Sequence, residues 1–235
     1  MQRQYKYLDL ITVLFVTVLL LSNLLSSAKL IDLGVSLGPI PLAFDAGTLV
    51  FPIAYIFGDV LTEIYGFRRS RRVIWSGFFA TALMGGFIWL AGMLPGEADW
   101  QQRVGQSAYD AILGGIPALI VASLAAYFFG EFTNSYVLAR MKVLMKGKRL
   151  WTRTIGSTII GQAVDTVLFF VIATALGAFP ADIMLSLIVT NYLFKVGIEV
   201  ILTPITLRLI NWLKRAEGED HFDTHTDFNP FRMDV

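Results

Sequence analysis

The chain has 235 residues, of which 55% are hydrophobic and 16% charged, with a mean hydropathy of +0.63 and a formal net charge of +1. Soluble domains carry roughly 25% charged residues, so this composition indicates a polytopic membrane protein. The sequence contains no cysteine, which excludes disulfides, thiol nucleophiles and thiolate metal sites.

Apolar segments set the predicted architecture, because a membrane-spanning helix needs about 20 mostly apolar residues. Six such segments are predicted, over residues 8–30, 45–65, 72–94, 112–139, 155–177 and 182–212. The first could be a signal peptide ending at "SSA" (26–28), but its apolar run is long and five more spans follow, so we interpret it as a retained helix. The predicted fold class is an all-α integral membrane protein with six transmembrane helices. These helices form one domain, residues 1–215, followed by a polar cytoplasmic tail, residues 216–235.

Lysine and arginine are distributed unevenly between the predicted connections. Sixteen of the 19 fall on one side of the six-span arrangement. They are Arg3, Lys6, Arg68, Arg69, Arg71, Arg72, Arg140, Lys142, Lys146, Lys148, Arg149, Arg153, Arg208, Lys214, Arg215 and Arg232. The positive-inside rule therefore predicts that both termini are cytoplasmic. Because these basic blocks are split between short loops and have no accompanying soluble fold, we do not expect a nucleic-acid partner.

Two connections on the predicted outer side differ in kind. Residues 31–44 are rich in glycine and proline, which predicts a turn rather than a helix. Residues 95–111 predict a short helix with Asp99 as its N-cap. That helix either covers a site that opens outward or is a plain connecting segment.

Ionisable side chains inside the predicted spans are few. Each costs at least ~2.5–3.5 kcal/mol to insert, so such residues usually face the bundle interior and mark a substrate or ion pathway. The alternative interpretation is a structural ion pair that holds helices together. The set comprises Asp59, Glu63, Glu131, Asp165, Lys195 and Glu199.

Polar residues in the fifth and sixth spans are spaced to share helix faces. Lys195 and Glu199 lie four residues apart on one face and can neutralise each other locally, with Asn191 one turn before them. Gln162 and Asp165 share a face near the middle of the fifth span.

The first, second and fourth spans add further polar positions. Asn23 lies in the first span, and Glu131 and Asn134 lie three apart near the cytoplasmic end of the fourth. Asp59 and Glu63, four residues apart on one face, fall in the inner half of the second span. Polar side chains from five of the six spans could therefore meet inside the bundle.

A family resemblance is carried by four segments: FPIAYIFGDVLTEIYGFRRSRRVIW (51–75), RTIGSTIIGQAVDTVLFF (153–170), NYLFKVGIEVILTPIT (191–206) and DTHTDFNPF (223–231). These segments resemble the bacterial queuosine precursor transporter family, and the likeness covers nearly the whole chain. The resemblance implies uptake of 7-cyano-7-deazaguanine, and of its 7-aminomethyl relative, across the inner membrane for tRNA modification. The family is similar in span number and size to the substrate-binding subunits of energy-coupling-factor vitamin transporters. It is thought to work without an ATPase module.

The chemistry of the polar residues is compatible with a 7-deazaguanine base. A carboxylate can accept two N–H donors of the guanine-like edge at once, and amide side chains can pair with its acceptors. Asp165 with Gln162 is the first candidate pair for reading this edge, because both lie mid-membrane. The remaining candidates for substrate binding are Asn23, Asn191, Lys195 and Glu199.

A second group of residues near the cytoplasmic end predicts a gate. We expect Asp59 and Glu63 to pair with the arginines of residues 68–72 as the site alternates between sides, or to clamp the loop 66–71 as a fixed structure. The predicted gating or coupling set is Asp59, Glu63, Glu131, Asn134 and Arg72.

Alternative functions are distinguished by what the sequence lacks. It has no membrane-embedded histidine, phosphate-binding glycine loop or Ser–His pair, so neither an enzyme nor a metal or cofactor is predicted. A binding subunit for another vitamin-like ligand, driven by a separate ATPase, remains the second hypothesis. The predicted partners are the base and the lipid bilayer. Because six helices are few for alternating access, a homodimer is expected as well.

Overall fold

The computed structural model describes residues 5–37, 40–114, 116–177, 181–182 and 184–232, and this part of the chain is mostly helical. In chain order its elements are α1 (Leu8–Ala28), β1 (Leu30–Leu37), β2 (Ile40–Asp45), α2 (Phe51–Val60), α3 (Phe67–Met93), α4 (Ala98–Arg103), α5 (Gln106–Tyr109), α6 (Ile116–Leu144), α7 (Leu150–Ala175) and α8 (Met184–Glu217). A 3-10 turn, Ala46–Leu49, precedes α2, and π-helical turns follow α2 at Leu61–Tyr65 and α5 at Asp110–Gly114.

Each of the six predicted apolar segments falls on a helix, which confirms the predominantly helical fold. Among the described residues, three helices are long and apolar enough to cross a bilayer: α1, α3 and α7. α2 is much shorter than its predicted segment, because residues 46–49 form a separate turn and Pro52 lies in the first turn of the helix, where its missing N–H costs nothing.

The connection between α1 and α2 contains two short extended segments within the otherwise helical fold. In the glycine- and proline-rich stretch predicted as a turn, β1 and β2 pair antiparallel, with Leu30 opposite Asp45 and Leu37 opposite Ile40. The pairing register is irregular between Asp32 and Ser36. As expected, this stretch does not continue α1 as a helix. Its described residues form two paired strands instead of a simple turn.

The connection after α3 contains the predicted short helix, α4, but its N-cap is two residues earlier than expected. Glu97, not Asp99, occupies the cap and accepts hydrogen bonds from the backbone N–H groups of Asp99 at 3.0 Å and Trp100 at 2.8 Å. The longer glutamate side chain reaches the same free N–H groups that a cap aspartate would have satisfied.

Small residues allow α6 and α7 to pack very closely. A Cβ atom added to Gly130 would lie 2.7 Å from the Cβ of Asp165, and one added to Gly161 would lie 2.7 Å from the Cβ of Asn134. Larger side chains would force the helices apart, so these glycines bring the polar residues of α6 and α7 into one layer.

The C-terminal segment after α8 folds back onto the end of the bundle. The backbone N–H of Phe67 donates to both carboxylate oxygens of Asp223, at 3.2 and 3.1 Å. Arg71 donates to the carbonyl oxygens of Asp227 and Asn229, and the indole N–H of Trp75 donates to the carbonyl of Pro230 at 2.9 Å. The tail is irregular, but it is bound along the beginning of α3.

Candidate functional site

A buried carboxylate on α2 anchors the polar interior. Asp59 is fully buried, and its Oδ1 accepts a hydrogen bond of 3.1 Å from the side-chain amide of Asn134 on α6. Its Oδ2 has no hydrogen-bond partner in the part of the chain that the structure describes. Glu131, one turn before Asn134, places its Oε2 3.2 Å from the position that a Cβ of Gly58 would occupy. The predicted association of Asp59 with Glu131 and Asn134 is thus present in the fold.

Glu199 on α8 does not pair with Lys195 as the spacing predicted. The Lys195 Nζ instead lies 2.8 Å from Oδ2 of Asp165 on α7, so the local neutralisation within α8 that the spacing allows does not form. A flexible lysine on a helix can reach a neighbouring helix as readily as a residue one turn along its own, and α7 packs against α8. Glu199 is 1% exposed, and neither of its oxygens has a partner among the described residues.

Gln162 completes this interior cluster from α7. It is buried, and its amide lies at the hydroxyl of Tyr55 on α2. Electrostatic interactions link Asp59 to Glu131 and Glu199, and link Glu131 to Asp165 and Glu199. We call these residues the acid cluster, and its members are Asp59, Glu131, Asn134, Gln162, Asp165, Lys195 and Glu199.

The acid cluster contains more acceptors than donors. Its ion pair, Asp165 with Lys195, is neutral as a unit, while the other three acids have no cation beside them in the described part of the chain. Buried acceptors without a donor there are Asp59 Oδ2, Glu131 Oε2, Asn134 Oδ1, Gln162 Oε1 and both oxygens of Glu199. Buried polar atoms are nearly always hydrogen-bonded, so this arrangement suits a ligand rich in N–H donors, or bound protons.

Two predicted binding residues point elsewhere. The side-chain amides of Asn23 and Asn191 donate to carbonyl oxygens of their own helices, Leu19 at 2.9 Å and Leu187 at 3.0 Å. Both residues are partly buried. Local bonds of this kind are common for polar residues within apolar helices, and they leave the amide oxygen as the group that remains to be engaged.

Glu63, the second predicted gating acid, occupies a different environment from Asp59. It is fully buried, and its carboxylate forms a fork with the guanidinium of Arg153 on α7, in which Nη2 and Oε1 are 3.1 Å apart. Lys214 of α8 lies 2.6 Å and Lys142 of α6 lies 3.4 Å from the same Oε1. We call this group, together with Asp220, the basic network.

The basic network corrects the predicted gate in one respect. Glu63 is paired with cations from three other helices and not with the arginines of residues 68–72. The π-helical turn at Leu61–Tyr65 shifts the helical register between Asp59 and Glu63. Arg72 is exposed, whereas Arg71 is buried and holds the tail. In the sequence, Lys142, Arg153 and Lys214 indicate only the orientation of the chain in the membrane. No local pattern indicates that all three contact Glu63.

Asp220, at the start of the tail, closes the basic network toward solvent. It is paired with Lys142, and with Lys214 at 2.8 Å. Partial burial opposes ionisation of Asp220, but the hydrogen bonds from the two lysines outweigh it, and its pKa is lowered from the ordinary 3.8. Burial lowers the pKa of Lys142, against the raising effect of Glu63 and Asp220.

The cluster and the network do not form a metal centre. Within residues 5–37, 40–114, 116–177 and the described stretches that follow, no group of three or more histidines and carboxylates could hold a metal ion.

Comparison with known proteins identifies the family. A family model described as "Putative vitamin uptake transporter" matches residues 45–209, which include the acid cluster and most of the basic network. The chain belongs to this family. It is therefore a multi-pass membrane transporter and not an enzyme.

Three curated relatives are similar over most of their length. A "Probable queuosine precursor transporter" of Bacillus subtilis is 32% identical over 161 residues, covering 67% of this chain and 68% of the relative. A protein of Haemophilus influenzae with the same description is 29% identical, covering 66% and 63%. The "Queuosine precursor transporter" of Escherichia coli is 26% identical, covering 71% and 73%. No solved structure matches the chain.

Proposed function

We propose that the protein imports the queuosine precursors 7-cyano-7-deazaguanine and 7-aminomethyl-7-deazaguanine across the bacterial inner membrane. The names of the relatives support this substrate class. The observation that carries it is the acid cluster, which lies within the family-matched region and offers several buried acceptors that have no donor among the described residues. A guanine-like edge supplies adjacent N–H donors, which are the groups that such a cluster lacks.

Glu199 is the residue that reads the base in this proposal. Both its oxygens are free to accept, in a fork, the ring N–H and the exocyclic amine of the base. Asp165, the first candidate from the sequence, has a weaker claim because Lys195 already neutralises it at 2.8 Å. Both Gln162 and Glu199 interact with Tyr55, so Gln162 is proposed to act beside Glu199 through its amide. Asn23 and Asn191 have only their amide oxygens left to offer the base.

Six transmembrane helices with both termini in the cytoplasm form the proposed topology. Contacts support it, because they join the N-terminal residues, the beginning of α3, the α6–α7 connection and the tail at one end of the bundle. The backbone N–H groups of Lys6 and Tyr7 donate to Glu217, and Asp223 binds Phe67. Most of the basic residues lie in these segments, and such segments face the cytoplasm.

The basic network is the proposed cytoplasmic gate. Glu63 joins the π-helical turn after α2 to α6, α7 and α8 through Lys142, Arg153 and Lys214, so this end is closed while the contacts hold. Opening toward the cytoplasm requires that these ion pairs separate and become hydrated. Asp59, Glu131 and Asn134 couple this gate to the binding site, while exposed Arg72 has no part in it.

A binding titration tests the substrate and the reading residue together. The detergent-purified protein is titrated with 7-cyano-7-deazaguanine, and with an unrelated vitamin as the ligand control. We expect saturable binding of the base alone. Glu199→Gln should weaken it roughly tenfold to a hundredfold, because hydrogen bonds to a charged acceptor contribute about 1.5–3 kcal/mol. Glu97→Gln, at an exposed glutamate, is the matched control and should bind like the unaltered protein.

The ion pair is tested as a unit. The double variant Asp165→Asn, Lys195→Met removes both charges, and we expect its affinity to stay within about threefold of the original. A loss of affinity as large as that of Glu199→Gln would indicate that Asp165, rather than Glu199, recognises the base. Absence of binding to folded, monodisperse protein would instead favour the second hypothesis, a subunit that needs a separate ATPase module.

A further inference from the structure

We propose that Asp59 and Glu131 form a proton-binding site that couples import to the inward movement of protons. This inference rests on the proposed function, because the proton is assigned to the import of the base. It adds the energy source, which neither the family description nor the names of the relatives include.

The first argument is the balance of charge around the pair. The ionisable groups that interact with the pair are Glu63 in the π-helical turn after α2, Asp165 on α7, Glu199 on α8, and the hydroxyls of Tyr55 and Tyr127. Lys195 of α8 lies beside Asp165. The lysine is bound to Asp165, and Glu63 is bound in the basic network. Asp59, Glu131 and Glu199 therefore have no counter-ion among the described residues.

Three neighbouring buried carboxylates cannot all carry a charge without one. Removing an ion from water costs several kcal/mol even after relaxation, and like charges nearby add to this cost. At least one of the three must hold a proton when no ligand is bound. Because Glu199 must be ionised to accept two N–H groups of the base, we assign a proton that stays bound together with the base to Asp59 or Glu131.

A second observation points to the same pair. The amide of Asn134 is 7% exposed and donates at 3.1 Å to Oδ1 of Asp59, so it is directed into the site. The amide oxygen, Asn134 Oδ1, has no donor in the described part of the chain. A protonated carboxyl group provides an O–H donor for such an acceptor, whereas an ionised one cannot.

The pair is also placed where its charge affects the packing of helices. Asp59 lies on α2 and Glu131 on α6, and Glu131 Oε2 sits against Gly58 at the contact between them. With one proton bound, the two carboxyl groups carry a single charge between them and the helices can pack. When the O–H bond breaks and the proton leaves to the cytoplasm, both carboxylates are charged where α2 meets α6, which favours separation of the helices.

A proton suits the pair better than a metal cation. The described residues contain no group of three or more carboxylates and histidines with metal-site geometry. A proton needs only one carboxylate oxygen and an acceptor beside it.

Proteoliposomes separate coupling from transport itself. Exchange of labelled for unlabelled 7-cyano-7-deazaguanine needs no gradient and reports the proposed function. Concentrative uptake is then measured with an alkaline lumen, or with an inward sodium gradient at equal pH. We expect about tenfold accumulation for each unit of pH gradient, if one proton enters with each neutral base. We expect none with sodium.

The variants Asp59→Asn and Glu131→Gln should lose pH-driven accumulation even when uptake is normalised to the exchange rate of each variant. Asp99→Asn, at an exposed aspartate, is the matched control and should retain both exchange and accumulation. Should either variant fail to fold, a pH-sensitive dye in the lumen of proteoliposomes with the unaltered protein tests whether protons enter with the base. Coupled entry must acidify an initially alkaline lumen.

The outcomes are distinct. Exchange without pH-driven accumulation or luminal acidification, or accumulation driven by sodium, overturns the proton site and leaves the proposed function standing. Accumulation that survives in both variants also overturns it. Absence of exchange by the folded, unaltered protein overturns the proposed function and, with it, this inference.

Discussion

Two buried glutamates, Glu63 and Glu199, differ in what surrounds them, and this difference defines their roles. Glu63 is bound by three cations from three helices, whereas both oxygens of Glu199 lack partners in the described part of the chain. A carboxylate that is fully paired holds structure together, while one without partners is ready to accept a ligand. From the sequence, both are ionisable residues within predicted spans, and their spacing does not distinguish a structural role from a binding role.

Neutralising Glu63 should strongly destabilise the protein. Glu63→Gln leaves Arg153, Lys142 and Lys214 close together without their shared anion. Breaking a buried ion pair by removing one partner typically costs about 3–5 kcal/mol. We expect a clearly lower thermal unfolding midpoint in detergent, whereas Asp99→Asn, at an exposed position, should change little. A double variant, Glu63→Gln with Arg153→Gln, should recover part of the loss, and the absence of any coupling between the two sites would contradict the ion pair.

At the scale of elements, the C-terminal segment acts as a cap for α3. The beginning of α3 has free backbone N–H groups, and Asp223 accepts from that of Phe67 although it lies 156 residues away in the chain. Asp223 is also buried and accepts a hydrogen bond of 2.7 Å from Thr226. No residue near Phe67 in the sequence predicts this contact, because a cap is normally sought immediately before the helix.

Removing this cap should loosen the tail and destabilise α3. Asp223→Ala leaves the Phe67 N–H without its acceptor, and lost caps cost about 0.5–2 kcal/mol. We expect a lower unfolding midpoint and faster proteolysis between residues 218 and 232. Asp182→Ala, at an exposed aspartate, is the control. Equal protease resistance of the two variants would show that the tail is not held through Asp223.

Attachment of the tail should also weaken in acid. The lowered pKa of Asp220 means that its ionised form is favoured in the folded state, through Lys142 and Lys214. Its contribution is therefore complete above the ordinary 3.8 and is lost as the pH falls through the lower folded value. Because the native sequence has no cysteine, a spin label at Thr224→Cys reports the tail alone.

We expect the mobility of that label to rise only as the pH falls below about 4. In an Asp220→Asn background the label should already be more mobile near neutral pH and should respond less to acid. A label whose mobility is independent of pH in the unaltered background would contradict a role for Asp220.

At the scale of the whole molecule, the sequence predicted the helices better than their partners. The apolar segments are local signals, and each of the six falls on a helix. Which charges meet depends on helix packing, so the Asp165–Lys195 pair and the convergence on Glu63 were not predictable from spacing. The tail binds through the backbone carbonyls of Asp227, Asn229 and Pro230. Because every residue type has a backbone carbonyl, the sequence does not predict these contacts.

Exposed apolar side chains continue along α3, and they suit lipid or a second copy of the chain. They include Phe79, Leu83, Phe87 and Leu90. The expected homodimer stays a prediction, and the mass of the detergent-purified protein by light scattering tests it.

The proposed six-span topology makes a prediction that a three-span arrangement does not share. If only α1, α3 and α7 crossed the membrane, residues 94–149 would all lie on one side. With six spans, α6 separates Gln102 from Lys148, both of which are exposed. Single cysteines at these positions, Gln102→Cys and Lys148→Cys, can be introduced without a competing native thiol.

We expect a membrane-impermeant maleimide added to intact cells to label Gln102→Cys and to spare Lys148→Cys until the membrane is permeabilised. This follows because the basic residues around Lys148 favour the cytoplasm, while the connection that contains Gln102 is acidic overall. The cysteine-free protein controls for background. Equal labelling of the two positions in intact cells would exclude a crossing by α6. The acid cluster would then have to be reached by a path other than one between the two ends of a six-helix bundle.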